Sequence, residues 1–129
     1  MSKTLMDFVK EARTNTDEIS IDDFLEIIEE EPELLILDIR EESEYAAGHI
    51  ENAVLVPRGT LEGAADVNYK KRHAELCQAR DRPIVVYCAT GGRSAMAAKT
   101  LKEMGFKTVY NLWGGIELWD SEEHPVISN

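Results

Sequence analysis

Two uninterrupted apolar segments constrain the fold of this chain more than any other feature. Residues 34–37 read Leu-Leu-Ile-Leu, and residues 84–87 read Ile-Val-Val-Tyr. A strand that is apolar on both sides is typical of the middle of a parallel sheet, where helices cover both faces. The two segments therefore predict buried strands of an α/β domain.

Helical patterns alternate with strand candidates along the rest of the chain. Apolar spacing predicts helices over residues 5–13, 21–30, 42–47, 69–78 and 93–104, and weaker strands over residues 19–21, 53–56 and 108–112. We expect Gly48 to end one helix in the left-handed conformation that suits glycine. Residues 58–67 show no clear period and are predicted to form a loop. The alternation implies a largely parallel sheet.

Length and charge limit the domain organisation and the partners. With 129 residues, the chain is predicted to hold an N-terminal helical extension (residues 1–18) and one α/β domain (residues 19–129). Its 25 Asp and Glu against 14 Lys and Arg give a formal net charge of -11. Such a chain is repelled by phosphate backbones and anionic membrane surfaces, so we expect neither nucleic acid nor membrane as a partner.

The first 18 residues lack the apolar core of a signal peptide, which predicts a cytoplasmic location. In a reducing compartment the two cysteines, Cys77 and Cys88, stay free. There is no Cys-x-x-Cys pair, and the three histidines are not spaced as a metal set, so neither a metal ion nor another cofactor is predicted. Cys77 lies in a helical pattern and is interpreted as a packing residue.

The segment that follows the second apolar strand has the pattern of a reactive site. Cys88 comes directly after that strand, and the predicted helix begins near Arg93. Gly91 and Gly92 allow the intervening backbone to curl so that its N–H groups converge on one point. The helix dipole and the guanidinium add positive potential, which favours a thiolate. Cys88 is therefore predicted to be a nucleophile.

Four separated pieces of the sequence carry a resemblance to a known family. They are Leu-Asp-Ile-Arg-Glu at residues 37–41 with Glu44 and Tyr45, Gly-His-Ile at 48–50 with Val-Pro at 56–57, the loop at 88–94, and Leu-Trp-Gly-Gly-Ile at 112–116. At these residues the chain resembles the rhodaneses, the thiosulfate sulfurtransferases and their single-domain relatives. The resemblance implies a central, mostly parallel five-stranded sheet with helices on both faces.

The resemblance also implies a reaction and its residues. Cys88 would take sulfur from a small anionic donor such as thiosulfate as a persulfide and pass it to a thiol, cyanide or a protein acceptor. The substrate-binding loop would comprise Ala89, Thr90, Gly91, Gly92, Arg93 and Ser94. Asp38 and Arg40 would support the site or pair with each other. Arg58 follows a short strand and is either a pocket residue or a surface arginine.

Two other functions are compatible with the same residues. Cysteine phosphatases and arsenate reductases use a related loop, but theirs has one residue more between cysteine and arginine and usually a histidine before the cysteine. Here four residues separate Cys88 from Arg93, and Tyr87 precedes the cysteine. Rhodanese-like domains also occur as non-catalytic binding modules, often without the cysteine. The shorter loop and Tyr87 argue against a phosphatase, and the retained Cys88 argues against a non-catalytic module.

Overall fold

The computed structural model describes residues 2–128, which fold around a five-stranded parallel sheet. The strands are β1 (Asp17–Ile19), β2 (Leu35–Asp38), β3 (Val54–Leu55), β4 (Pro83–Tyr87) and β5 (Thr108–Leu112). They are hydrogen-bonded in the order β1-β5-β4-β2-β3, and every pairing is parallel. The predicted α/β fold with a mostly parallel five-stranded sheet is confirmed.

Helices cover both faces of this sheet. They are α1 (Leu5–Thr14), α2 (Ile21–Glu30), α3 (Glu42–Ala47), α4 (Leu61–Ala65), α5 (Ala74–Cys77), α6 (Gly92–Glu103) and α7 (Gly115–Ser121), with a 3₁₀ turn at Arg58–Thr60. None of the helices within residues 2–128 combines the length and the apolar character that crossing a bilayer requires.

The core lies in two layers, one on each face of the sheet. Ile84 and Val86 of β4 pack with α6 on one face, and Val85 and Tyr87 pack with Phe24 of α2 on the other. All four of these β4 side chains are fully buried. The uninterrupted apolar pattern of the strand thus follows from its position between two helical layers.

Gly48 ends α3 as predicted, but the left-handed conformation predicted for it is wrong. Its φ is 169°, which is extended backbone. A Cβ atom at this position would lie 2.7 Å from Cγ1 of Val126. The glycine therefore makes room for the C-terminal segment, which forms a backbone bridge between His49 and Ile127.

Three other local predictions differ from the structure. Residues 58–67 are not a loop, because the 3₁₀ turn and α4 bury Leu61 and Ala65. The helix predicted over residues 69–78 is only α5, which begins where the side chain of His73 accepts a hydrogen bond from the N–H of Leu76. The strand predicted over residues 19–21 is β1, which ends at Ile19 because the side chain of Ser20 caps α2.

Candidate active site

Cys88 lies at the carboxyl end of β4, one of the central strands of the sheet. Ligand sites of open α/β sheets lie at this edge. The chain turns sharply after the cysteine, with a φ of +105° at Gly91, and α6 begins at Gly92. Glycine adopts this backbone conformation without the steric cost that a side chain would add.

Two backbone N–H groups and one hydroxyl group converge on the sulfur of Cys88. The N–H of Gly91 lies 3.1 Å from Sγ, the N–H of Ser94 3.4 Å and the Ser94 hydroxyl 3.3 Å. Of the amides at residues 89–93 predicted to face the sulfur, that of Gly91 donates to it directly, and the amide of Ser94 is an additional donor. Donors aimed at one sulfur stabilise its anionic form more than its neutral form.

A chain of polar groups connects Ser94, through the buried side chain of Asn111, to half-buried residues of β1 and α1. The Ser94 hydroxyl lies 2.5 Å from Oδ1 of Asn111 in β5. The amide NH₂ of Asn111 donates to the carboxylate of Glu18 at 2.9 Å and to the carbonyl of Gly91 at 3.1 Å. Glu18 in turn forms an ion pair with Arg13 of α1 at 2.9 Å. Asn111, Glu18 and Arg13 were not predicted as site residues, and the one signal in the sequence was the polar Asn111 within the strand pattern Thr-Val-Tyr-Asn-Leu.

The first turn of α7 fixes the other side of the loop. The N–H of Ile116 donates to the carbonyl of Cys88 at 2.9 Å, and that of Glu117 donates to the carbonyl of Ala89 at 3.0 Å. Gly115 has a φ of +61°, and a Cβ atom there would lie 2.6 Å from the Cys88 carbonyl oxygen. The close approach of the two backbones explains the second glycine of the Leu-Trp-Gly-Gly-Ile segment.

Arg93 is engaged with a carboxylate. Its two terminal nitrogens donate to the two carboxylate oxygens of Glu44 in α3, each at 3.0 Å. The hydrogen bond from Arg93 lowers the pKa of Glu44 to about 2, so the pair is charged at neutral pH. Arg93 therefore joins α6 to α3, and its charge is matched by a neighbouring carboxylate.

The predicted supporting residues, Asp38 and Arg40, and the predicted pocket residue Arg58 lie in two different places. Asp38 and Arg40 are buried at the end of β2 and pair with each other at 2.8 Å. Arg40 also donates to the carbonyl of Gly48 at 2.7 Å. Arg58 pairs with Glu62 of α4 at 3.0 Å, and it lines a different pocket from the one that contains Cys88.

Cys88 is one of the residues that line a pocket of about 370 Å³. Its own exposed fraction is only 1%. The lining residues are Leu5, Met6, Val9 and Arg13 of α1, together with Cys88, Thr90, Gly92, Arg93 and Met96. The contribution of α1 was not predicted from the sequence.

A parallel sheet covered by helices on both faces, with a cysteine loop at the carboxyl edge of a central strand, defines the class of α/β proteins to which this chain belongs. The family model of the rhodanese-like domain matches residues 20–122. The chain therefore belongs to the rhodanese family, as the sequence resemblance indicated.

Curated relatives connect the chain to sulfur carriers and to larger enzymes. It is 38% identical over 102 residues to the putative sulfur carrier protein YrkF of Bacillus subtilis (strain 168), covering 79% of this chain and 50% of that protein. It is 37% identical over 87 residues to the tRNA uridine(34) hydroxylase of Pectobacterium carotovorum subsp. carotovorum (strain PC1), covering 67% of this chain and 23% of the enzyme. The chain thus spans half or less of the length of these relatives.

Solved structures share the complete fold. A protein of unknown function from Rhodopseudomonas palustris CGA009, described as a possible tyrosine phosphatase, matches with a TM-score of 0.90 and 28% identity over 98% of this chain and 96% of that one. The polysulfide-sulfur transferase homodimer of Wolinella succinogenes matches with a TM-score of 0.73 and 33% identity over 94% of this chain and 85% of that one.

Proposed function

We propose that this chain is a sulfurtransferase that carries sulfane sulfur as a persulfide on Cys88. The observation that supports the proposal is the convergence of two backbone N–H groups and the Ser94 hydroxyl on Sγ of Cys88, a residue that lines a pocket. This arrangement supports an anionic sulfur nucleophile beside a cavity that can admit a small donor.

The proposed reaction has two displacements. The Cys88 thiolate attacks the outer sulfur of the donor, and the donor's S–S bond breaks with its electron pair leaving on sulfite when the donor is thiosulfate. The Cys88 persulfide anion is then held by the amides of the loop, residues 89–94. An acceptor thiolate or cyanide attacks the outer sulfur, and Cys88 leaves as a thiolate. No external oxidant or reductant is needed, because each step exchanges one nucleophile for another.

The same proposal assigns the partners. The donor is a small anion that carries a sulfane sulfur, and the acceptor is a low-molecular-weight thiol, cyanide or a protein thiol. Both cysteines are free thiols. Free thiols fit a reducing compartment, and we propose the cytoplasm.

Mass spectrometry of the intact protein tests this function. After treatment with thiosulfate, or separately with inorganic polysulfide, we expect the wild-type chain to gain the mass of one sulfur atom and to lose it to added cyanide. The Cys77→Ser variant should behave like the wild type, whereas Cys88→Ser should gain no cyanide-removable sulfur. Failure of every donor to load Cys88 would contradict the proposal and favour a non-catalytic binding module.

Phosphatase activity is the second candidate, because the Rhodopseudomonas palustris structure is described as a possible tyrosine phosphatase. Two features of this chain oppose it. Four residues separate Cys88 from Arg93, and both terminal nitrogens of Arg93 are bound to Glu44 rather than directed at an oxyanion. Hydrolysis of an aryl phosphate that is lost in Cys88→Ser, together with absence of sulfur loading, would reverse the ranking.

A further inference from the structure

Helix α1 lies outside residues 20–122, the part that matches the family model, yet it forms one wall of the Cys88 pocket. It contributes Leu5, Met6, Val9 and Arg13 to the lining. Thr4 and Asp7 form a reciprocal capping box that stabilises the start of the helix. The contacts that hold α1 against the domain lie further along it.

The inner face of α1 rests directly on the cysteine loop. Val9 and Ala12 are 4% and 1% exposed, and α1 packs against α6. A Cβ atom on Gly92 would lie 3.5 Å from Cγ2 of Val9, so this valine sits over the start of α6. The ion pair of Arg13 with Glu18 anchors the far end of the helix to the sheet.

The charges of the pocket are already compensated. Its cationic lining residues in the described part of the chain are Arg13 and Arg93, and each is paired with a carboxylate, Glu18 and Glu44 respectively. Such a pocket offers little excess positive charge to inorganic thiosulfate, which carries two negative charges. A donor with one negative charge and an apolar group is a better electrostatic match.

The apolar part of the pocket is the part that α1 supplies. Leu5 and Met6 are 67% and 55% exposed, and they line the same cavity as the sulfur. Large apolar side chains exposed together mark a binding surface rather than a core. The volume of about 370 Å³ lies within the range of pockets that hold organic ligands.

We propose that Leu5, Met6 and Val9 form a subsite for the organic group of the sulfur donor, so that the chain prefers organic persulfides and thiosulfonates to thiosulfate. This inference rests on the proposed function. With a thiosulfonate, Cys88 attacks the terminal sulfur, the S–S bond forms at Cys88, and the electron pair of the broken S–S bond leaves on the sulfinate. The organic group then lies against α1 while the transferred sulfur meets the loop amides.

Steady-state kinetics with three donors test the subsite. The values of kcat/KM are measured for thiosulfate, methanethiosulfonate and benzenethiosulfonate in the wild type, in the double variant Leu5→Asn/Met6→Asn and in Leu25→Asn. Leu25 is an exposed leucine of α2 that does not line the pocket, so it serves as a matched control. We expect kcat/KM of the wild type to be highest for benzenethiosulfonate. In the double variant, the ratio of kcat/KM for benzenethiosulfonate to that for thiosulfate should fall by about tenfold.

If the double variant keeps the wild-type ratio of kcat/KM for benzenethiosulfonate to kcat/KM for thiosulfate, the subsite is refuted. If that ratio is unchanged and sedimentation shows a change from dimer to monomer, the α1 face is a subunit interface. Protection of Cys88 from iodoacetamide by benzenesulfinate gives a readout that needs no turnover, and it should be stronger in the wild type than in the double variant.

Failure of the proposed function has a different signature. If no donor loads sulfur onto Cys88, the transferase proposal is contradicted rather than the subsite.

Discussion

The side-chain oxygen of Asn111 lies 2.5 Å from the hydroxyl oxygen of Ser94. That hydroxyl is also 3.3 Å from Sγ of Cys88, and it has one proton to donate. The amide NH₂ of Asn111 is bound to Glu18 and to the Gly91 carbonyl, which fixes its oxygen toward the serine. The serine proton therefore has two acceptors, Oδ1 of Asn111 and the sulfur of Cys88, and it donates to one of them at a time.

Ser94→Ala should slow the reactions of Cys88. The variant removes the hydroxyl donor but keeps the two backbone donors on the sulfur. A hydrogen bond to a charged group contributes about 1.5–3 kcal/mol, and we expect both alkylation and sulfur loading to slow by about tenfold or more. Iodoacetamide labelling near neutral pH, followed by peptide mass spectrometry, measures the rate. Cys77 serves as the internal control, and equal Cys88 rates in wild type and variant would show that the hydroxyl has no effect.

Gly115→Ala should damage the site more than any other single glycine-to-alanine change that leaves the sequence of the cysteine loop intact. The added methyl group would collide with the Cys88 and Ala89 carbonyls, and the residue has a positive φ. We expect sulfur loading to be largely lost, with a drop in thermal stability. Gly59→Ala is the matched control, because a Cβ atom there meets nothing within 4 Å and the residue has no positive φ. Comparable activity of the two variants would contradict the proposed role of the contact with α7.

Sequence patterns were sufficient for the sheet but not for all its surroundings. The segment 84–87 could be predicted as a buried strand because its apolar character does not depend on which neighbours it has. By contrast, α4 is only five residues long, Leu61–Ala65, and an apolar pattern over so few residues does not distinguish a helix from a loop. The conformation predicted for Gly48 is wrong for a different reason. Glycine is needed there because a side chain would collide with Val126, which is remote in sequence.

The candidate site shows the same division. The cysteine loop is contiguous in sequence, so Cys88 and the backbone donors of its loop could be proposed from residue types alone. Asn111 reaches the site from β5 and Arg13 reaches it from α1, and only the packing of those elements brings them there. Arg58 lies close in sequence to a strand end, but its side chain turns to Glu62 and to the hydroxyl of Thr100.

Arg40→Met should destabilise the fold strongly. The change leaves the buried carboxylate of Asp38 without its ion-pair partner, and loss of one partner of a buried pair costs about 3–5 kcal/mol. Urea denaturation measures the free energy of unfolding. The double variant Asp38→Leu/Arg40→Met should cost less than the single change, because no buried charge is left alone. Arg58→Met, in an ion pair whose Glu62 partner is 55% exposed, should change stability by about 1 kcal/mol or less. A small effect of Arg40→Met would show that Asp38 finds another partner.

Glu44→Gln should release the charge of Arg93 into the pocket. In the wild type the carboxylate of Glu44 balances the charge of Arg93. Neutralising Glu44 leaves the guanidinium as a net positive group beside Cys88, Thr90 and Gly92. A unit charge at short range in water is worth about 1 kcal/mol, so we expect kcat/KM for thiosulfate to rise by about fivefold. The gain should shrink with added salt, which screens exposed charges. Glu62→Gln, which removes the partner of Arg58 outside the pocket, should leave the donor preference unchanged.

The stability difference between wild type and Glu44→Gln should depend on pH in a defined direction. The folded pKa of Glu44 is lowered from 4.5 to about 2 by its hydrogen bond with Arg93. A lowered folded pKa means that the ionised pair stabilises the fold fully above the unfolded value and loses its contribution as pH falls toward the folded value. The difference in free energy of unfolding should therefore be constant from neutral pH down to about 5 and decrease between there and about pH 2. A difference that already declines between pH 8 and 6 would show that Glu44 is not the titrating group.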